Sequence, residues 1–221
     1  MSNQCGNCDA AITEPGMFKS GNSRYNEPTV KAVNHFRKGA YLDLCQKCGE
    51  VEVDETWAHV RNQSANAREF IQTHITDFPM MTVDHLPGAS TYWIKGMVTA
   101  NVAVGTGIFS EASQGISDMF GATNTTSGMA KKVNSGEATA RTMIANKALS
   151  MGANCVIGVD VDYGTTANNA ATVNMQGTAV RIANLAEVFD GPELRKAKAF
   201  EQAYETIAEM SRWRTAAGIE M

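Results

Sequence analysis

Two cysteine pairs, Cys5-Gly-Asn-Cys8 and Cys45-Gln-Lys-Cys48-Gly49, constrain this chain more than any other feature. Two residues between cysteines let a single turn present both thiolates to one ion, and two such turns complete a tetrahedral four-sulfur site. Gly6 and Gly49 allow the backbone N–H groups to approach sulfur at low steric cost. The spacing therefore predicts a small zinc-ribbon-like module over residues 1–55, with Cys5, Cys8, Cys45 and Cys48 as ligands of a structural Zn2+. Four thiolates leave no position for water, so the ion is expected to hold the fold rather than to catalyse. A redox dithiol would need a strand before its first cysteine and a helix after the second, which residues 1 to 4 leave no room for.

The remaining cysteine, Cys155, opens an apolar run and reads as core, with a metal-responsive thiol as the rival role. An odd set of five cysteines, four of them in close pairs, fits a reducing compartment better than a disulfide framework. The chain has 221 residues, with 23 acidic against 19 basic side chains and a formal charge of -4, which argues against a general nucleic-acid-binding surface. The start Met-Ser-Asn-Gln has neither a charged n-region nor an apolar h-region, and no run approaches the length of a membrane span. A cytoplasmic location without a membrane span is the expectation.

Along the first segment, Gly16, Gly21, Pro28 and Gly39 punctuate short apolar groups such as Val30-Lys31-Ala32-Val33, which reads as loops and short strands. From Trp57 to Phe78 the spacing of Trp57, Val60, Ser64, Ala67, Ile71, Ile75 and Phe78 predicts a linking helix over 56–79, stopped by Pro79. Residues 80–185 change texture, being rich in Gly, Ala, Val, Met and Thr. Here the pattern predicts a strand from Tyr92 to Val104, or two joined at Gly96, and a short helix over Ile108–Phe120. A longer helix capped by Ser135 and stopped at Gly152 comes next, then two strands over Cys155–Asp162 and Ala171–Ile182. In the C-terminal extension, 186–221, Asp190 and Glu193 can form a capping box. Leu194, Ala197, Phe200, Tyr204, Ile207 and Met210 then recur as an apolar stripe that needs a partner in this subunit or another. Strand, helices and hairpin in this order predict an α+β fold with antiparallel strands.

Leu86-Pro87-Gly88, Gly105-Thr-Gly-Ile-Phe, the run from Ala148 through Gly152-Ala-Asn-Cys-Val-Ile-Gly to Asp162, and Gly177-Thr-Ala-Val-Arg-Ile182 together resemble the YbjQ-like family, also called UPF0145 and labelled heavy-metal-binding. The resemblance spans about residues 80–182. It implies a small α+β subunit assembled into a homo-oligomeric ring, a pentamer or a multiple of one. The cysteine module and the C-terminal helix lie outside it. The matching region offers a soft metal only Cys155, with His85 near its start, which gives the label little support from these residues.

Other candidates carry less. Gly105-Thr-Gly lacks the third glycine and the Lys-Ser/Thr of a phosphate loop. Asp160 and Asp162 share a strand face beside Tyr163, but no His or Lys accompanies them, so a solvated strand end is the ordinary reading. His35, His59, His74 and His85 are scattered, and Trp57, Trp93 and Trp213 are not interleaved with basic residues as a stacking platform would be. Lys131-Lys132 reads as a solvated loop pair. No nucleophile and base stand out, so a non-catalytic scaffold or adaptor with protein partners is expected, with metal or ligand sensing and a zinc-ribbon nucleic-acid module as alternatives.

Overall fold

The first helix forms inside the cysteine module, where short strands were expected. The Asn26 side chain accepts the Thr29 N–H at 2.9 Å, Pro28 sits in the first turn where its missing N–H costs nothing, and α1 runs Glu27–Arg37. Its Val30, Ala32 and Val33 are buried. The apolar group taken for a strand is thus one face of a capped helix. Lys38, in left-handed conformation at φ 55°, ends it. The computed structural model describes residues 3–14, 21–86, 91–104, 128–165 and 171–219. The expected helix over Ile108–Phe120, Gly105-Thr-Gly and Pro87-Gly88 lie outside the described residues.

Helix α2 spans Gln46–His74, beginning eleven residues before Trp57. Gly49, Val53, Thr56, Trp57 and Val60 are buried at helical spacing, so the stripe extends back to the second cysteine pair. Glycine and β-branched residues hide that extension from a propensity reading; Thr56 returns its hydroxyl to the Glu52 carbonyl at 2.7 Å. A single 3-10 turn, Ile75–Asp77, follows before Pro79.

The sheet has three antiparallel strands, β1 (Tyr92–Val104), β2 (Cys155–Thr165) and β3 (Ala171–Ile182), in the order β1-β3-β2. Tyr92–Val104 is one strand, with a register shift between Ile94 and Gly96, where Gly96 takes φ 150°. A second shift, between Ile157 and Asp160, surrounds Gly158 at φ 59°.

Helix α3 spans Gly128–Ser150 and packs on β1 and β3 through Ala140, Ile144, Ala145, Ala148 and Leu149. Ser135 is therefore interior rather than a cap, and Lys131-Lys132 lie on the helix rather than in a loop. Gly136 lets the helix approach the sheet: a Cβ there would meet Val173 Cγ2 at 2.8 Å. The stop at Gly152, φ 73°, is as the sequence predicts.

Helix α4 spans Gly191–Ala217. Two compact units divide the chain: Met1–Phe70 with Ala203–Met221, and Ile71–Gln202. In the first unit Met210 and Ala217 of α4 join a core of Val30, Val33, Leu44, Val53, Trp57 and Val60. In the second, Ala197 and Leu194 join Cys155, Ile157, Val180, Ile182 and Leu185, while Phe200 meets Phe78 edge-on at 5.6 Å. Leu194, Ala197, Phe200 and Met210 of the apolar stripe of α4 thus find partners within the subunit, while Tyr204 and Ile207 are half-buried. Among the described residues no helix is long and apolar enough to cross a membrane.

Candidate metal centre

The first pair sits in a tight loop. The Cys5 N–H donates to the Ala10 carbonyl and the Asp9 N–H to the Cys5 carbonyl, both at 2.9 Å, with Asp9 left-handed at φ 56°. The second pair straddles the start of α2: the N–H groups of Cys48 and Gly49 donate to the Cys45 carbonyl at 3.1 and 2.8 Å. A side chain at Gly49 would press on Leu44, with a Cβ at 3.0 Å from the Leu44 Cβ. The second turn is thus the opening of a helix, not the hairpin turn a ribbon suggests.

These two turns bring all four sulfurs within 4.8 Å of one another. Cys5 and Cys48 are 3.8 Å apart, Cys8 and Cys45 3.7 Å, and Cys45 and Cys48 3.7 Å. Four sulfurs at about 2.3 Å from a tetrahedral zinc stand about 3.8 Å apart, so these edges have the right length for such an ion. They are too long for a disulfide, whose sulfurs are about 2.05 Å apart. All four cysteines are free.

Electrostatics within the cluster are uneven. Cys45 is drawn down to about 6: burial opposes its ionisation, but the Cys48 N–H, Asn22 and the neighbouring thiols outweigh it by bonding to the sulfur. Cys8 is pushed up to about 12: the backbone at Ala10 favours its thiolate, yet desolvation and the thiols of Cys48, Cys45 and Cys5 prevail. A bound cation would stabilise the thiolate form of its sulfur ligands.

Residues around the four sulfurs were not legible from spacing. The Asp43 carboxylate accepts the Gly6 N–H at 3.1 Å and pairs with Arg24 at 3.2 Å, joining the two loops. Asn7 Nδ2 donates to Cys48 Sγ at 3.5 Å. Asn22 accepts the Lys47 N–H at 3.1 Å and donates to the Ala11 carbonyl at 2.8 Å. Each lies far in sequence from what it touches.

The other candidates fall elsewhere. His35 packs against Trp213 at 5.0 Å and faces Glu209 at 3.6 Å, and His59 lies against Phe36 at 5.4 Å. His74 faces Asp77, and His85 its neighbour Asp84 at 2.6 Å. Cys155 is fully buried, its thiol pushed up to about 12 by burial. Asp160 and Asp162 are exposed on β2, aligned with Gln176 and Asn174, and Tyr163 donates to Glu137 at 3.1 Å. The cysteine cluster is the one group of three or more metal-binding side chains found among the described residues.

The family described as "Putative heavy-metal-binding" matches residues 78–183. A UPF0145 protein of Geobacillus kaustophilus (strain HTA426) is 32% identical over 101 residues, which are 46% of this chain and 94% of that protein. The match covers β1, α3, β2 and β3 and excludes the four clustered cysteines. Through this α+β segment the chain belongs to the YbjQ-like, UPF0145 family.

Proposed function

We propose that the protein is a non-catalytic adaptor of the YbjQ-like family, in which Cys5, Cys8, Cys45 and Cys48 hold a structural Zn2+ and the α+β segment assembles into a homo-oligomeric ring, a pentamer or a multiple of one. The four-sulfur cluster carries the metal part of this reading. Three of its edges have zinc's length, its four side chains are all cysteines, and among the described residues no His, Asp or Glu joins the group. The α+β core is independent of those sulfurs, so zinc would stabilise the first 55 residues and leave the ring to the family segment.

The ring reading is supported by the family and by the edge strand β1. Ile94 and Met97 are 70% and 72% exposed there, and Trp93 is half exposed, on a strand whose outer side pairs with no described strand. Exposed apolar edges of this kind pair readily with another copy. Ring symmetry would repeat each cysteine module around one axis, so that individually weak contacts to a protein partner add up.

A metal-sensing reading takes its support from the family description, but the one cysteine of residues 78–183 is Cys155, which is buried. Sensing would therefore fall to the N-terminal cysteines. Elemental analysis of purified protein tests the first reading: one zinc per chain is expected, falling below one half in Cys5→Ser and Cys48→Ser. A metal-free wild type with four titratable thiols would contradict it. Loss of the oligomer in either variant would place the cysteine module at the assembly interface.

A further inference from the structure

The four sulfurs of the metal centre are not equally open to solvent. Cys5 and Cys45 are buried, Cys48 is half-buried and Cys8 is exposed. Hydrogen bonding to them is uneven as well. The Cys45 sulfur is bonded by the Cys48 N–H and the Asn22 side chain, and the Cys48 sulfur accepts from Asn7 Nδ2 at 3.5 Å. The Cys8 sulfur accepts from the backbone at Ala10, and the Cys45 sulfur lies 3.7 Å behind it. Hydrogen bonds that stabilise a thiolate lower its basicity and with it its nucleophilicity.

An oxidant arriving from water therefore meets Cys8 first. An exposed cysteine alone would carry little, but here a second thiol sits within reach, buried and shielded from the same oxidant. Metal binding keeps both sulfurs as thiolates, the form that attacks peroxides.

We propose that Cys8 is the point at which hydrogen peroxide enters the four-sulfur centre, and that a Cys8–Cys45 disulfide then forms and releases the zinc. This rests on the zinc reading above and gives that site a regulation. In the first step the Cys8 sulfur attacks one peroxide oxygen: an S–O bond forms, the O–O bond breaks and hydroxide leaves. The sulfur is oxidised to sulfenic acid and the peroxide is reduced. In the second step the Cys45 thiolate attacks the Cys8 sulfur: an S–S bond forms, the S–O bond breaks and a second hydroxide leaves. Two protons from solvent turn both hydroxides into water, so one peroxide is consumed per disulfide. The two sulfurs close from 3.7 Å to about 2.05 Å. Cys5 and Cys48 then remain, two thiolates where a structural zinc takes four ligands. The bond runs between the two turns rather than within either one, so segments 37 positions apart stay tied when the ion leaves.

Treating the zinc-loaded full chain with one equivalent of hydrogen peroxide tests this, with zinc release followed by a chromogenic chelator and free thiols alkylated at intervals and mapped as peptides. The expected first product is the Cys8–Cys45 disulfide, formed in step with zinc release, while Cys155 stays reduced. Cys8→His keeps a zinc ligand but removes the exposed sulfur, so release should slow about tenfold or more. Cys48→His keeps both sulfurs of the proposed bond and should release zinc at close to the wild-type rate. The wild-type peptides decide the order of oxidation even where a variant loses its metal. Any other first product, a disulfide within either cysteine pair included, would overturn the proposal. So would release from Cys8→His as fast as from wild type, or zinc retained with Cys8 still reduced. A chain purified without zinc would instead overturn the metal reading, and its peptides would still report whether Cys8 and Cys45 pair, so the two failures are told apart.

Discussion

The sulfur of Cys8 lies 3.7 Å from that of Cys45, 37 positions further along the chain. Cys8 itself is exposed, so its own burial does not account for that meeting. The loops are joined by polar contacts, the Gly6 N–H on Asp43 and the Asp43–Arg24 pair. Exposed pairs of this kind contribute about 0–1 kcal/mol, against apparent binding free energies of about 10–16 kcal/mol for structural zinc in small modules. Removing the metal with a chelator should therefore free the segments 3–14 and 41–49, seen as loss of amide protection by hydrogen exchange. Strands β2 and β3 should keep theirs. Retention of protection over 3–14 in the chelated protein would show that the polar contacts suffice.

Asn154 connects three elements of the second unit. Its Oδ1 accepts the Ile182 N–H at 2.7 Å, and its Nδ2 donates to the Ile182 carbonyl at 3.0 Å and to Glu201 at 3.1 Å. It is buried, so Asn154→Ala leaves two backbone groups of β3 without these partners and should cost roughly 2–4 kcal/mol in urea denaturation. A loss under 1 kcal/mol would mean that water replaces the amide.

Gly177 faces β2 so closely that a Cβ would meet Val156 Cγ1 at 2.6 Å and the Ile157 carbonyl oxygen at 3.2 Å. Val156 could turn, but the carbonyl belongs to the backbone. Gly177→Ala should destabilise by ~1–3 kcal/mol as an overpacked core position, measured by thermal or denaturant unfolding. A neutral effect would show that β2 shifts freely at its bulge.

The Cys155 thiol, pushed up from 9.0 to about 12 by burial, stays protonated when folded at pH values where the unfolded chain ionises. Between these values the native state binds more protons, so stability falls as pH rises through the window, by up to about 1.4 kcal/mol per pH unit from this group. Below pH 9 the contribution is constant. Cys155→Ala should be less stable at pH 7 because of the cavity, yet lose less stability between pH 9 and pH 11 than the wild type. Parallel pH profiles for the two proteins would rule out a buried neutral thiol.

On β1, Ile94→Lys and Met97→Lys change side chains that the subunit itself barely covers. Monomer stability should move by less than about 0.5 kcal/mol, as for surface substitutions generally. Sedimentation velocity should show smaller assemblies if this edge joins subunits. An unchanged sedimentation coefficient would remove β1 from the interface.

How far the sequence carried this picture depends on the range of the interactions. The grouping of the four cysteines and the strands at 92–104, 155–162 and 171–182 were readable because both rest on local spacing: two residues between thiols, and runs of strand formers bounded by glycine. Helix α1 was not, because its signal is a cap, Asn26 with Pro28, inside a segment that Gly21 and Gly39 make look broken. Ser135 reads as a cap but lies inside α3, and the neighbouring Gly136 is explained by its contact with Val173, which is distant in sequence. The hydrogen bonds of Asn22 and Asp43 beside the sulfurs are likewise products of packing.

Native mass spectrometry of the intact protein tests the central claim most directly, because subunit number and bound metal are read from the same ion. The account predicts a closed oligomer, a pentamer or a multiple of one, carrying one zinc per chain at the four-cysteine centre. A metal-free monomer would contradict it.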